Sequence, residues 1–560
     1  MRAKGIALGA LLCALESTTV GAEPIALAPA TEITMDRTVI SPTGWESRIA
    51  ETSPSITIIT GEELERKQVT TVADALREVP GVVVSEGGSR GATTSVFLRG
   101  SDSDQVLVLV NGIEVNSTTA GFFDFSNLTP ENIERIEVLR GWGGTLYGSE
   151  AIGGVIQIFT RRGEGPPRGS ISAAGGNAYT DREVAEVSGR SGVFSYSAGA
   201  SHIRTEGFKP ENDDYENTVV SGRIDADAAK DATAGVVFRV GSAEFGNFFS
   251  NNFLAAPDPN ARQESGFAAG RGEWTHRPLR GVEYRLAVSY TRDDLEFRDP
   301  PDGAETGSTD SDFLAEVLSG DAQTNLSWWS DRMQSIFGIE VEERSGDVDS
   351  VFADPVFGEF STAFDESVGT VSGYTLQQLF LDERRLVLTG GMRYDDNDRF
   401  GEELSPSGGA SYALRATATR FRATYAEGFK APSLNELFFP GFGNPDLDAE
   451  TSREVTVGFD QPFAVNRALV SASWFHREVE DLIQGVPQDD GTLLAENVGE
   501  ATIEGVEAAL DVDLVAGLRV GGQYTFLDVD AEPSGRVRRP KHGGSVYVVA
   551  ERDGLWVDGD

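Results

Sequence analysis

The sequence predicts an all-β transmembrane barrel with a small α+β domain fused ahead of it and seated as a plug in its lumen. Three observations lead there. Segments of about nine residues with two-residue alternation recur in the second part of the chain, the length of a tilted membrane strand. Beyond the leader, no apolar run approaches the 18 or more residues of a membrane helix, and closed barrels are the other structure that crosses lipid. Residues before about 165 read differently, with a helical repeat and apolar strands too short to span a bilayer.

The order of the chain bears this out segment by segment. Arg2 and Lys4 precede an apolar run from Ile6 to Leu15, and Val20-Gly21-Ala22 is a small-residue cleavage site. Residues 1–22 therefore read as a secretory signal peptide, cut before Glu23. The single cysteine, Cys13, lies inside it, behind Leu12 where lipidation needs a small residue. The mature chain then has no thiol for disulfides or thiolate metal sites. With 89 Asp and Glu against 47 Lys and Arg, nucleic acid is excluded as a partner, because phosphates need the opposite sign.

Residues 23–52 are thin in structure apart from DRTVIS: Asp36, Arg37, Thr38, Val39, Ile40 and Ser41. This β-prone run has nothing obvious beside it to pair with, and an unpaired strand is a template on which a partner can add its own. The stretch from Ser41 to Ser53 reaches about 40 Å extended or about 20 Å as a coil. Either length lets the run emerge from a barrel whose apolar band is about 25 Å tall.

Residues 53–165 form the expected α+β domain. Val72, Ala75, Leu76 and Val79 recur at helical spacing after Thr71, a capping residue, and Pro80-Gly81 stops the helix. VLVLVNGIEV (106–115) and IERIEVLRG (133–141) read as short strands. A barrel of about 22 strands has a lumen wide enough to need filling. From 166 to 560 the alternation takes over. Tyr284, Leu286, Val288 and Tyr290 alternate with Glu283, Arg285, Ala287 and Ser289, and Phe421 and Tyr425 alternate with Arg422 and Thr424. Long polar connections such as 250–263 and 298–312 oppose tight turns, the pattern of outer-membrane barrels rather than of soluble sandwiches.

No catalytic constellation emerges. GWGGTLYGSEAIGG (141–154) lacks the GxxxxGK[ST] pattern of a phosphate loop, and GGSRG (87–91) matches a G-x-S-x-G elbow by letters alone. His202, His276, His476 and His542 are far apart in sequence. The chain reads as a transporter, not an enzyme.

VFLRG (96–100), VLVLVNGIEV and IERIEVLRGWGGTLYGSEAIGGVIQIFTRR (133–162) resemble the plug of TonB-dependent outer-membrane receptors. RYDDNDRFG (393–401), YAEGFKAPSLNELFFPGFGNPDLDAETSREVTVGF (425–459), NVGEATIEGVEAAL (497–510) and RRPKH (538–542) resemble that family's barrel. Within the family, VFLRGSDSDQVLVLVNGIEVN and GNPDLDAE are most similar to the cobalamin transporters, with ferric-siderophore receptors sharing the scaffold. A passive porin and a calcium-binding adhesin are the readings from other classes. The resemblance implies residence in the outer membrane of a Gram-negative bacterium, in contact with its lipid, as a monomer. It further implies that residues 36–41 are the TonB box, gripped by the periplasmic domain of TonB, and that cobalamin or a siderophore is cargo, with no cofactor. Two departures stand out. Trp142 occupies a position where the family usually has proline, and the chain ends 18 residues after RRPKH. The length fits about 18 strands rather than about 22, so the barrel is expected to be C-terminally incomplete, with a gap in its wall.

Arg99 and Arg140 lie on plug strands facing the wall, where an unpaired charge is costly. The resemblance gives them Glu454 and Glu507 as partners, in a cluster that holds the plug and breaks when TonB pulls. It likewise makes the apical loops the ligand contacts, through Ser89, Arg90, Thr93, Thr94, Asn116 and Ser117. Glu211, Asp213, Asp214 and Asp258 are the candidate ligands for structural calcium, a hard cation that favours oxygen sets.

Overall fold

The computed structural model describes residues 37–559 apart from 210, 249–257, 303–306, 356–357, 464–466, 490, 516, 533–537 and 553–554; the leader and Asp36 lie outside the described residues. The second part of the chain is a 19-stranded sheet running from Arg168–Gly175 to Leu555–Gly559, each strand paired with its neighbour in sequence. That is one more strand than the length suggests. Among the described residues no register joins the first strand to the last.

Alternation sets the two faces of the wall. In strand Val282–Asp299, Tyr284, Leu286, Val288 and Tyr290 are 41, 48, 60 and 41 % exposed, while Ala287 and Ser289 are buried against the lumen contents. In Arg420–Lys430, Phe421 and Tyr425 face out and Arg422 and Thr424 face in. An apolar outer face and a polar inner one is what lipid outside and a packed interior require. No helix among the described residues is long and apolar enough to cross a membrane.

The N-terminal domain is built on a five-stranded sheet ordered Ser55–Thr60, Ile133–Arg140, Gly154–Thr160, Val106–Val110, Ile113–Glu114. Only the pair Val106–Val110 and Gly154–Thr160 is parallel. A separate hairpin pairs Val82–Glu86 with Thr94–Leu98. Helix Gly61–Lys67 starts on a Thr60–Glu63 capping box, which the sequence reading overlooked, and helix Val72–Leu76 on one between Thr71 and Asp74. The second helix is shorter than its repeat implies. The Val79 amide already donates to Leu76 in a tight turn, and Pro80 has no amide to continue the ladder.

The last strand of this domain ends at Thr160 and the first wall strand begins at Arg168. The domain bonds to the wall around its whole circumference. Arg182 pairs with Glu131, Thr291 donates to the Glu114 carbonyl at 2.8 Å, and Thr118 donates to that of Ser345 at 2.7 Å. Further round, Thr145 donates to the Ser405 carbonyl at 3.1 Å, and the Gly81 amide to Thr525 Oγ1 at 2.9 Å. The domain is therefore a plug inside the cylinder.

Candidate functional site

The densest charge in the plug–wall interface is the cluster around Arg99. The chain turns at Arg99 (φ 51°) and Gly100 (φ 75°), just past strand Thr94–Leu98, which aims the guanidinium at the wall. Its Nε and Nη2 hold the two Glu507 oxygens at 2.9 and 2.8 Å, a two-pronged fit of fork to carboxylate. Nη1 reaches Glu454 at 2.8 Å, and the Phe475 ring lies 4.4 Å away. Arg99 is fully buried. Arg140 lies 3.4 Å from Glu507 and donates to the Pro80 carbonyl and to Thr57, both at 3.0 Å. Burial lowers its pKa to about 10 against the pull of Glu507. Arg477, which the sequence reading missed, also pairs with Glu454 and bonds Ser101. Its signal is visible only once the register is known, because Glu454 sits directly opposite Arg477 on neighbouring strands.

Two glycines make room for these carboxylates. A Cβ on Gly141 (φ 65°) would lie 1.8 Å from Glu454 Oε1, and one on Gly81 (φ 80°) 2.4 Å from Glu507 Oε1. Only glycine combines that backbone with that approach.

A second network, also missed, joins the plug to another part of the wall. Arg344 binds Glu114 and Glu150 of the plug, at 2.8 and 2.5 Å, and Glu342 of its own strand at 2.6 Å. Nearby, Arg393 holds Asp395 at 2.8 Å and Glu340 at 2.9 Å. Burial pushes the Glu114 carboxyl well above the usual range, against the opposing charge of Arg344.

The tether corrects the expectation of an exposed, unpaired strand. Thr38–Val39 pairs with Ser47–Arg48 in a short antiparallel ladder, and Val39 is fully buried. The chain can fold back because the amides of Thr43 and Gly44 both donate to the Ile40 carbonyl. Glu137 then accepts from the Ile40 amide at 3.0 Å, the Ser41 amide at 2.9 Å and the Ser41 hydroxyl at 2.8 Å. Tyr147 donates to the Ser41 carbonyl at 3.1 Å, and the indole N–H of Trp142 to that of Pro42 at 3.2 Å. Trp142, the departure from proline, is thus part of the dock: its side chain is 1 % exposed and packs with Leu139, Leu146 and Val155. Burial also raises the Tyr147 phenol, so it remains a donor at neutral pH.

At the opposite end of the plug the apical residues divide. Thr93 and Ser117 line a cavity of about 240 Å³ between the plug and strands 215–246, 262–299 and 308–328. Arg90 lies over the Tyr215 ring at 5.5 Å, and Ser89 is bonded by Lys209. Asn116 does not present its amide to this space. It accepts from Val108 at 2.9 Å and donates to the carbonyls of Val106 and Gly121 at 3.0 and 3.1 Å, so it shapes the loop. Thr94 is also buried, its amide given to Asp124 at 2.8 Å. The residues the sequence did not suggest are Asp124, Asp293 and Arg239, which line the cavity beside Phe122, Phe123, Phe267 and Phe313. Burial raises the Asp124 carboxyl, opposed by bonds from the Thr94 and Ser126 amides.

Three of the four carboxylates assigned to calcium have separate engagements. Asp213 accepts from the Phe208 and Lys209 amides at 2.7 and 2.9 Å, and Asp214 pairs with Arg262 at 2.7 Å. Asp258 caps Asn260 and Ala261 at 3.0 and 2.7 Å, and Glu211 is exposed. Among the described residues, the three-ligand grouping that does arise is Asp181, Glu183 and His202. The pairing of Glu183 with His202 across neighbouring strands creates it, and sequence spacing could not reveal that.

Comparison with known proteins agrees with this architecture. Residues 173–557 match the family model "TonB dependent receptor-like, beta-barrel", and residues 48–155 match the "TonB-dependent Receptor Plug Domain". The vitamin B12 transporter of Photobacterium profundum is 26 % identical over 527 residues, covering 90 % of this chain and 79 % of that one. That of Vibrio vulnificus (strain CMCP6) is 28 % identical over 503 residues, covering 86 % and 77 %. Among solved structures, a mutant of the Pseudomonas aeruginosa ferric enterobactin receptor superposes with a TM-score of 0.73 at 19 % identity, covering 91 % of this chain and 86 % of that one. The ferripyoverdine receptor of the same organism gives 0.75 at 16 %, covering 93 % and 77 %. A plug held in a 19-stranded wall, with both family models matched in order, places the chain among the TonB-dependent receptors, transporters of the Gram-negative outer membrane.

Proposed function

We propose that this receptor takes up cobalamin or a related corrinoid, with TonB gripping residues 36–41 from the periplasm. The observation that carries the choice of cargo is the charge of the apical cavity. Two carboxylates, Asp124 and Asp293, line it against the single guanidinium of Arg239, amid phenyl rings and neutral polar groups. Arg239 is itself engaged by Thr129, at 3.1 Å to the carbonyl and 3.0 Å to the hydroxyl. Such a surface offers little free cationic charge to an anionic ferric chelate and suits a bulky, amide-decorated ligand without net charge. The similarity to vitamin B12 transporters supports the same choice.

In this reading the docked tether is the resting state. A TonB strand replaces the ladder to Ser47–Arg48, and the pull is transmitted through Glu137 to the strand that carries Arg140 and so to the cluster at Glu507. The test is a binding panel on the purified receptor, following the fluorescence of its seven tryptophans with corrinoids and ferric siderophores. Saturable quenching by corrinoids alone is expected, and quenching by a siderophore instead would overturn the cargo. Deleting residues 36–41 should abolish uptake and leave binding intact; unchanged uptake would overturn the role of the tether.

A further inference from the structure

A second cavity, of about 290 Å³, lies on the tether side of the plug, between its edge strand Ser55–Thr60 and the wall. Its lining is unlike the rest of this acidic molecule. Seven Lys and Arg side chains face five Asp and Glu, in a chain of net charge −42. Each of the five carboxylates is already engaged. Glu63 caps Thr60, Glu78 pairs with Lys67, and Asp511 accepts from Tyr547. Glu507 is held by the Arg99 fork, and Asp460 is shared between Arg420 at 3.0 Å and Arg422 at 3.2 Å.

Arg519 is held by Asp513 at 2.7 Å, but Arg140 and Arg66 are under-compensated by comparison. Arg140, 7 % exposed, has its Nε buried without a hydrogen-bond partner, as does Arg66. Among the described residues no carboxylate lies within ion-pair distance of Arg66 or Arg37. A buried guanidinium nitrogen without an acceptor is costly, and planar guanidinium forks match tetrahedral or planar oxyanions. The Arg140 pKa is lowered first by burial and then by the neighbouring positive charges of Arg99 and Arg422, against the pull of Glu507. The tether closes one side of the space: Arg37 and Ile49 line it, the Ile49 amide donates to the Arg37 carbonyl at 3.0 Å, and Arg420 donates to the Ile49 carbonyl.

We propose that this basic chamber is a binding subsite for an oxyanion, and specifically for the phosphodiester of a cargo that has passed the plug. The oxyanion site stands on the chamber alone, whereas its assignment to cargo rests on the corrinoid reading above. A cargo without net charge but with an internal phosphate is tolerated by the apical cavity and then finds its anionic group matched here.

The test starts with inorganic phosphate titrated into the full-length receptor in detergent, read by phosphorus NMR line width. Saturable binding is expected, weakened at least fivefold in Arg422→Gln and in Arg66→Gln, retained in Arg422→Lys, and unchanged in Arg415→Gln on the outer surface. Arg66→Gln guards against misfolding, since Arg66 sits on a short helix and its buried Nε has no hydrogen-bond partner to lose. Absence of saturable binding, or an equal loss in Arg415→Gln, overturns the site. In cells, Arg66→Gln should slow uptake of cobalamin at least threefold and leave that of cobinamide, which lacks the phosphodiester, unchanged. Equal effects on both would make free phosphate the ligand and overturn the cargo assignment. Failure of every corrinoid to bind would remove the corrinoid reading while the phosphate titration still decided the site.

Discussion

Replacing Glu507 with Gln tests how the plug is held. In the folded receptor Glu507 takes two hydrogen bonds from Arg99, at 2.9 and 2.8 Å, and lies 3.4 Å from Arg140. The amide keeps the shape and removes the charge, while turning a donor toward a guanidinium that has only donors to offer. Arg99 is 0 % exposed, so water cannot replace what is lost. Removing one partner of a buried pair costs about 3–5 kcal/mol, which corresponds to a roughly hundred- to several-thousandfold change in an opening equilibrium. Hydrogen exchange in detergent reads it directly: protection of Thr94–Leu98 and Ile133–Arg140 should fall by that factor. Arg99→Met should cost a similar amount, and the double variant less than the sum, because the second change removes a charge the first left unpaired. Protection within threefold of wild type, or strict additivity, would refute a plug held by these charges.

Three further outcomes follow from the same contacts. Glu137→Gln weakens an acceptor serving three donors of the tether, and since hydrogen bonds to charged groups contribute about 1.5–3 kcal/mol each, a spin label at Thr38 should become mobile. Gly141→Ala places a methyl 1.8 Å from Glu454 Oε1 in left-handed backbone; the yield of folded, heat-modifiable receptor should drop several-fold, and Ala at the exposed Gly272, where nothing lies within 4 Å of an added Cβ, should leave it unchanged. For Asp124, burial raises the folded carboxyl, so the folded loop keeps a proton that the unfolded chain has already released. Its contribution is most favourable at acid pH and is lost as pH climbs from the usual carboxylate range, about 4, through the raised folded value. Urea titrations across that window should show stability falling as pH rises, with Asn at 124 flattening the slope.

What could be read from the sequence is what lipid and backbone impose locally. Outward Tyr284, Leu286 and Val288 must alternate with inward residues whatever the rest of the chain does, and Thr71 before an apolar repeat starts a helix wherever it lies. The Arg99–Glu454–Glu507 grouping was reached only through the family resemblance, since the partners are 355 and 408 residues apart. Arg477, Arg344 and the Asp181–Glu183–His202 grouping stayed hidden because each depends on which strand stands beside which. A register shift of one residue would turn every one of these side chains to the other face of the wall.

The tether shows the harder limit. Its β-propensity was legible in Thr38, Val39 and Ile40, and from this an exposed strand was the natural expectation. Its position, however, is decided by the underside of the plug. Glu137 and Gln157 sit on the adjacent strands Ile133–Arg140 and Gly154–Thr160 and meet across the ladder, and both accept from the Ser41 hydroxyl at 2.8 Å. Trp142 closes the arrangement, for proline in its place has no N–H to offer the Pro42 carbonyl. The residue that departs from the family's proline is therefore a donor to the tether. On the proposed capture of this β-prone segment by a partner, a dock made of its own domain keeps it from pairing with strangers, and the strength of that dock would set how readily the partner takes it.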